Sequence, residues 1–298
     1  MRVTFNSQYR DSAAAIETTS ERLLDAQRQV SSGRRLGKIS DDPTAAASSV
    51  AERGHIADVD QYTRAADSVG SRLSVVDTVL SDVIDKLTAA RTVTTAARTS
   101  TASASQRSAL AQQLGGVRDA LVDDMNSTLH GRYLFAGSAV TTRPYTVTAP
   151  AAFAAYMGNG SEVQVDVGND RAVTVAYDGA AITKGSDSQD LFETLDGLIA
   201  AVSTGDTTAL ETGMQALERA FNRATAAQTR LGIDMQVIDA QKLRLQQMRL
   251  SAGERLSRLE DVNLAEAITD MTHADAAYRA ALGAVGTTSR VSLLDYLK

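Results

Sequence analysis

The chain has 298 residues, which at roughly 150 per domain allows two domains and at least one sizeable core. Aromatic residues make up 4%, with no Trp, no Cys and three Pro, so the interior must be filled by Ala, Leu, Val and Ile. Disulfides, thiol catalysis and Cys-ligated metal sites are excluded. A net charge of −6 without a block of basic residues argues against duplex nucleic acid, and no apolar run approaches the ~18 residues of a membrane span.

Met1 to Arg10 lacks the basic-then-apolar layout of a cleaved secretory signal, so the chain is expected to stay in the cytosol or to leave by a route that needs none. Tyr9, Ile16, Leu23 and Val30 then fall seven apart and mark one stripe of a first helix. Ser31 to Pro43 reads as a junction: Gly33 is placed to end that helix, and Asp42 before Pro43 starts the next. Asp41 and Asp42 could be read as a metal pair, but no His or further carboxylate lies close in sequence.

From Val59 the positions Tyr62, Ala66, Val69, Leu73, Val76, Leu80, Val83, Leu87, Ala90, Thr94 and Ala97 alternate steps of three and four. This heptad seam predicts a helix of roughly 58 Å at ~1.5 Å per residue. A second seam runs through Leu110, Leu114, Val117, Leu121, Met125 and Leu129. Arg132 to Gly185 breaks the pattern with Pro144, Pro150 and several Gly. Within it, Glu162 to Val167 and Ala172 to Tyr177 alternate with period two around a Gly168–Asn169–Asp170 turn. With Thr142 to Val147 this predicts a small β-rich insert, read as an exposed knob. Leu191, Leu195, Leu198 and Val202 mark a short amphipathic helix. A third seam follows at Leu210, Met214, Leu217, Phe221, Ala224, Gln228, Leu231, Met235 and Ile238.

The C-terminal stretch mirrors the first. Leu264, Met271, Tyr278 and Val285 fall seven apart, flanked by Ala267, Ala274 and Ala281, and Asp275 interrupts a second line between Ile268 and Leu282. The small residues allow a partner helix to approach closely, and Asp275 is read at the wet edge of the seam. An isolated pair of such helices buries little surface against an ordering cost of about 1–2 kcal/mol per residue. The two ends are therefore expected to gain stability on neighbouring copies.

The predicted fold is mainly α: a long antiparallel helical rod with its N- and C-terminal helices paired and a β-rich insert. Its divisions are 1–40 with 253–298 for the terminal assembly part, 41–137 with 186–252 for the rod, and 138–185 for the insert.

Ser31–Ser32–Gly33 followed by Asp41–Asp42–Pro43 and a run of Ala resembles the N-terminal signature of the bacterial flagellin superfamily. Ser292–Leu293–Leu294–Asp295–Tyr296–Leu297 is similar to its C-terminal signature, and Leu231–Gly232 resembles the corresponding long helix. Gly131–Arg132–Tyr133–Leu134–Phe135–Ala136–Gly137 resembles the branch of hook-associated proteins at the hook–filament junction, and Gln8–Tyr9 leans the same way. Gly37–Lys38–Ile39 departs from the residues commoner there.

The resemblance implies an extracellular structural protein, exported unfolded through the flagellar type III apparatus with an uncleaved signal. It implies self-assembly into a ring or tube, with paired terminal helices innermost and the insert outward. The implied partners are a neighbouring hook-associated protein, flagellin and an export chaperone. Alternatives are flagellin itself, a cytosolic coiled-coil binding module, and an enzyme with its site in the insert.

Local chemistry offers little to the last of these. His55, His130 and His273 have no ligand partner at metal-binding spacing, and Gly158–Asn159–Gly160 lacks the Lys–Ser/Thr of a phosphate loop. Arg34–Arg35 lies in the junction without a phosphate-binding context. No cofactor, no metal and no catalytic residue is expected.

Overall fold

The computed structural model describes residues 5–98, 103–147, 154–161, 163–168 and 171–296. The chain forms two compact units, Met1–Asp58 with Gln247–Lys298, and Val59–Gln246. These divisions stand further into the long helices than the 40/41 and 252/253 steps drawn from the sequence, and the β-rich segment clusters with the helices of the larger unit.

In the larger unit the first element is the main part of α2 (Pro43–Ala97). Its heptad seam is the inward face: Ala66, Leu73, Val76, Leu80 and Ala90 are fully buried, and Tyr62 alone of the series is half-exposed. Thr94 is also fully buried. Its hydroxyl donates to the Ala90 carbonyl at 2.8 Å, which satisfies it within the helix. α3 (Ala104–Met125) starts on a capping box, in which the Ser103 hydroxyl accepts from the Gln106 N–H and the Gln106 side chain accepts from the Ser103 N–H.

The second seam stops at Met125, four residues short of the sequence expectation, and Leu129 lies in a strand instead. The cause is Asn126. Its side-chain amide pairs with the backbone of Tyr145 in both directions, at 3.0 Å each, which draws the chain out of the helix. β1 (Thr128–Leu129) and β2 (Arg132–Tyr133) then form a tight hairpin around His130 and Gly131. Both turn residues have positive φ, at 52° and 75°, as a two-residue hairpin turn demands.

β3 (Tyr145–Val147) pairs antiparallel with β4 (Ala154–Tyr156), and β5 (Val163–Gly168) with β6 (Arg171–Ala176). The last hairpin is the one the alternation predicts. Its turn residues Asn169 and Asp170, together with Pro150 and Glu162, lie outside the described residues.

The described strands pair only two by two. Nor is this segment a free knob: Leu134, Phe135, Ala136 and Tyr145 are fully buried. In a chain with so few rings, Tyr145 stacks edge-on against Phe192 at 5.0 Å and tilts against Tyr156 at 5.2 Å. The rings thus weld the strands to helix α5 (Leu191–Thr204), reached through the short α4 (Gly179–Thr183).

α5 packs on α3, with Leu191, Leu195, Leu198 and Val202 buried as the periodicity predicts. α6 (Thr207–Glu260) buries Leu210, Leu217, Ala224, Leu231, Ile238 and Leu245, which fall at successive steps of seven. The polar break Gln228 is used rather than tolerated, since its amide donates to Asp77 of α2 at 3.3 Å.

The terminal unit contains α1 (Phe5–Ser32), the start of α2, the end of α6 and α7 (Leu264–Tyr296). α1 packs along α7. A β-bridge between Arg34 and Asp261 ties the end of α1 to the start of α7, so the two helices run antiparallel.

Candidate assembly interface

The seam between α1 and α7 has the same design on both sides. On α1, Ser12, Ile16, Thr19, Leu23, Ala26 and Val30 alternate small and large at steps of four and three. On α7, Ala267, Met271, Ala274, Tyr278, Ala281 and Val285 do the same. Ala26 and Ala267 are buried and the others half-buried, so the helices approach closely where side chains are smallest. Ile16, Leu23, Val30, Met271, Tyr278 and Val285, named from the sequence, therefore lie in this seam. Tyr9 lies in α1, but its side chain is outside the described residues. Leu264 differs: it is 52% exposed.

Coverage falls away around α7 in a regular manner. The line Ala267, Ala274, Ala281 is the most covered. About 100° further round, Ile268 and Leu282 are 48% and 44% exposed. Asp275, on that outer line, pairs with Arg279 at 2.9 Å, in keeping with a wet edge.

The terminal unit as a whole has an inverted economy. Seven of the ten exposed large apolar residues described in the chain belong to it: Leu24, Ile39, Val50, Leu250, Leu264, Ile268 and Leu282. Its described buried apolar residues are Ala26, Ala45, Ala252 and Ala267, all alanine.

Besides the seam, a polar clamp joins the junctions of this unit. α1 ends at Ser32, and Gly33 follows at φ 67°. The Arg35 N–H donates to the Glu260 carbonyl at 2.7 Å, and the Val262 N–H donates to the Gly33 carbonyl at 3.0 Å. The Glu260 side chain is nearly buried; its Oε2 accepts from Arg53 at 2.7 Å and lies 3.9 Å from Arg34. Arg35 donates to the Leu259 carbonyl at 3.1 Å.

Asp41 and Asp42 are explained by the backbone rather than by a metal. Asp41 accepts from the N–H groups of Gly37 and Lys38, at 3.2 and 2.7 Å. Asp42 accepts from the Ala45 N–H at 3.0 Å and from the Thr44 hydroxyl at 2.7 Å, capping α2. The Ala45 N–H, then Thr44 and Arg35, hold the Asp42 carboxyl below its ordinary range. Among the described residues no group of three or more His, Asp or Glu is placed to hold a metal.

The motif Gly131 to Gly137 lies in the larger unit and is a backbone crossing point. The Leu134 carbonyl accepts from Tyr177, the Phe135 carbonyl from Gly179 and the Ala136 carbonyl from Asn159. Gly137, at φ 62°, passes so close to Asn159 that a Cβ there would fall 2.0 Å from its carbonyl oxygen. Only glycine fits. Residues 292–296 continue α7, and Leu297 lies outside the described residues.

Sequence reasoning missed the clamp of Glu260 with Arg53 and Arg34. Its members are more than 200 residues apart, and no local pattern announces such a pair.

Comparison with known proteins agrees with this architecture. Residues 3–140 match the bacterial flagellin N-terminal helical region. The fold is shared with a putative flagellar hook-associated protein from Vibrio parahaemolyticus, which superposes with a TM-score of 0.70 at 18% identity, covering 74% of this chain and 100% of that one.

Two further likenesses are found. The chain is 26% identical over 307 aligned residues to flagellar hook-associated protein 3 of Escherichia coli K12, covering 94% of this chain and 96% of that one. The flagellar junction protein FlgL of Legionella pneumophila superposes with a TM-score of 0.62 at 12% identity, over 72% of this chain and 100% of that one.

Proposed function

We propose that the chain is a structural, non-catalytic subunit of the bacterial flagellum that joins hook to filament and assembles through its terminal unit. The observation that carries this reading is the terminal unit's composition: large apolar side chains outside, alanines inside. Fully burying a Leu or Ile contributes about 1.5–3 kcal/mol, so covering seven half-exposed ones contributes on the order of 7 kcal/mol per subunit. That is comparable with the ~4–15 kcal/mol cost of association. A solitary chain forgoes this gain, and a ring or tube of copies recovers it.

In this reading the segments 1–40 and 253–298 carry polymer contacts, with Tyr9, Ile16, Leu23, Val30, Leu264, Met271, Tyr278 and Val285 among the contact residues. The segments 41–137 and 186–252 pack laterally, and 138–185 faces outward. The neighbours are another hook-associated protein on one side and flagellin on the other. The chain leaves the cell by the flagellar export apparatus, held before export by a chaperone, and acts outside the cell. The likeness to hook-associated protein 3 and to a junction protein supports the placement.

Deletion of the gene tests it. The expected phenotype is intact hooks without filaments, with flagellin released into the medium. Cells that keep hook-borne filaments, or a protein that dominates sheared filaments as bulk subunit, would overturn the junction reading.

A further inference from the structure

A groove of about 650 Å³ lies within the larger unit, between one flank of α2, the β1–β2 hairpin and the β5–β6 hairpin. Its α2 wall runs from Ala65 to Val75, ten steps of helix or about 15 Å. Val69 and Val75 face it from the helix, and Val163, Val165 and Val175 from the hairpin. At ~3.3 Å per residue the trough accommodates about four residues of extended chain.

The charges in the groove are one-sided. The chain carries 36 acidic residues against 30 basic ones, yet no Asp or Glu is among the described residues that line this groove, while Arg72, Arg132 and His130 are. Arg72 is the informative one. It is half-buried, and its Nε and Nη2 donate to the Val175 and Tyr133 carbonyls, the latter at 3.3 Å.

Both acceptors are neutral, and among the described residues no carboxylate pairs with Arg72. The neighbouring Arg132 adds a second positive charge, also without a described acidic partner. Partly desolvated guanidinium groups are commonly found opposite an anion, because their charge is otherwise left uncompensated. Here the described residues supply the cation, its orientation and the apolar walls, but no anion.

We infer that this groove binds an extended acidic–apolar segment of another polypeptide chain, one Glu or Asp side chain pairing with Arg72 and Arg132 while its apolar neighbours lie along the valines. The length of the trough favours a peptide over a compact carboxylate, and the two guanidinium groups, with no acid among the described lining residues, set the sign of the ligand. The inference stands apart from the assembly role of the terminal unit.

The full-length protein is titrated with the peptide acetyl-Val-Leu-Glu-Val-amide, with its Gln counterpart and with hexanoate, following backbone amide shifts. The Glu peptide is expected to bind with shifts confined to the groove, at least tenfold more tightly than the Gln peptide, and to weaken as salt is raised. Arg72→Gln is expected to lose tenfold or more. Arg132→Ala, at an exposed position that leaves the fold intact, is expected to lose several-fold.

Equal binding of the Glu and Gln peptides would overturn the proposal, as would full affinity in Arg132→Ala. Hexanoate binding as tightly as the peptide would assign the groove to a small carboxylate instead and overturn the peptide reading.

Discussion

Gly137→Ala and Gly131→Ala make a matched pair, because both glycines have positive φ but only one is crowded. At Gly131, φ is 75° and nothing lies within 4 Å of a built Cβ. The substitution there costs only the left-handed backbone strain, about 1 kcal/mol. At Gly137, φ is 62° and the new methyl would sit 2.0 Å from the Asn159 carbonyl oxygen and 2.5 Å from its Oδ1.

The turn carrying Asn159 must move. Among the hydrogen bonds this endangers are Ser138 N–H to Asn159 Oδ1 at 2.9 Å, Asn159 N–H to the Ala136 carbonyl at 3.2 Å, and the Tyr156 hydroxyl to the Asn159 carbonyl at 3.2 Å. At about 1 kcal/mol each, with the strain added, Gly137→Ala costs about 3–5 kcal/mol. Urea unfolding of both variants at equal m-value measures the difference. If the two substitutions destabilised equally, the crossing of the Gly131–Gly137 segment behind Asn159 would be wrong.

Two further predictions concern stability. Asn126→Ala removes both hydrogen bonds to the Tyr145 backbone and leaves buried groups unpaired, so it should cost about 1–3 kcal/mol in thermal or urea unfolding. Asp187 is held below its ordinary titration range by Arg223 and then Arg219. Its pairing therefore contributes stability above about pH 4 and loses it as pH falls through the lowered folded-state value. Asp124 and Asp190, raised by burial, act in the opposite sense: their penalty is relieved as pH falls through their raised values. Asp187→Asn should flatten the acid limb of the urea midpoint between about pH 5 and about pH 3.

The long helices were legible because the heptad spacing is itself the packing: Leu73, Leu80 and Leu87 are buried at the positions where the repeat puts them. The β5–β6 hairpin was legible for the same reason at period two. The end of α3 was not, because Leu129 continues the spacing while Asn126 breaks the helix through a partner nineteen residues away. The β1–β2 turn was also hidden, since His130 has to adopt a positive φ that its residue type does not advertise.

At the candidate interface, the stripes of α1 and α7 could be read from the sequence. Which edge stays uncovered could not. Leu264 and Met271 share a line by spacing, yet one is 52% exposed and the other half-buried. The clamp on Glu260 depends on the return of the chain after more than 200 residues, which periodicity does not encode.

The assembly role is tested most directly by counting filament-bearing hooks by electron microscopy in cells whose only copy of this chain carries Ile268→Asp with Leu282→Asp. Both positions lie on the open side of α7, so the solitary protein should keep its unfolding midpoint to within about 0.5 kcal/mol per site. In an assembled wall each carboxylate would be desolvated without a partner, at a cost of several kcal/mol. Bare hooks together with a normally folded, exported variant are the predicted result; hooks bearing filaments at the wild-type frequency would contradict it.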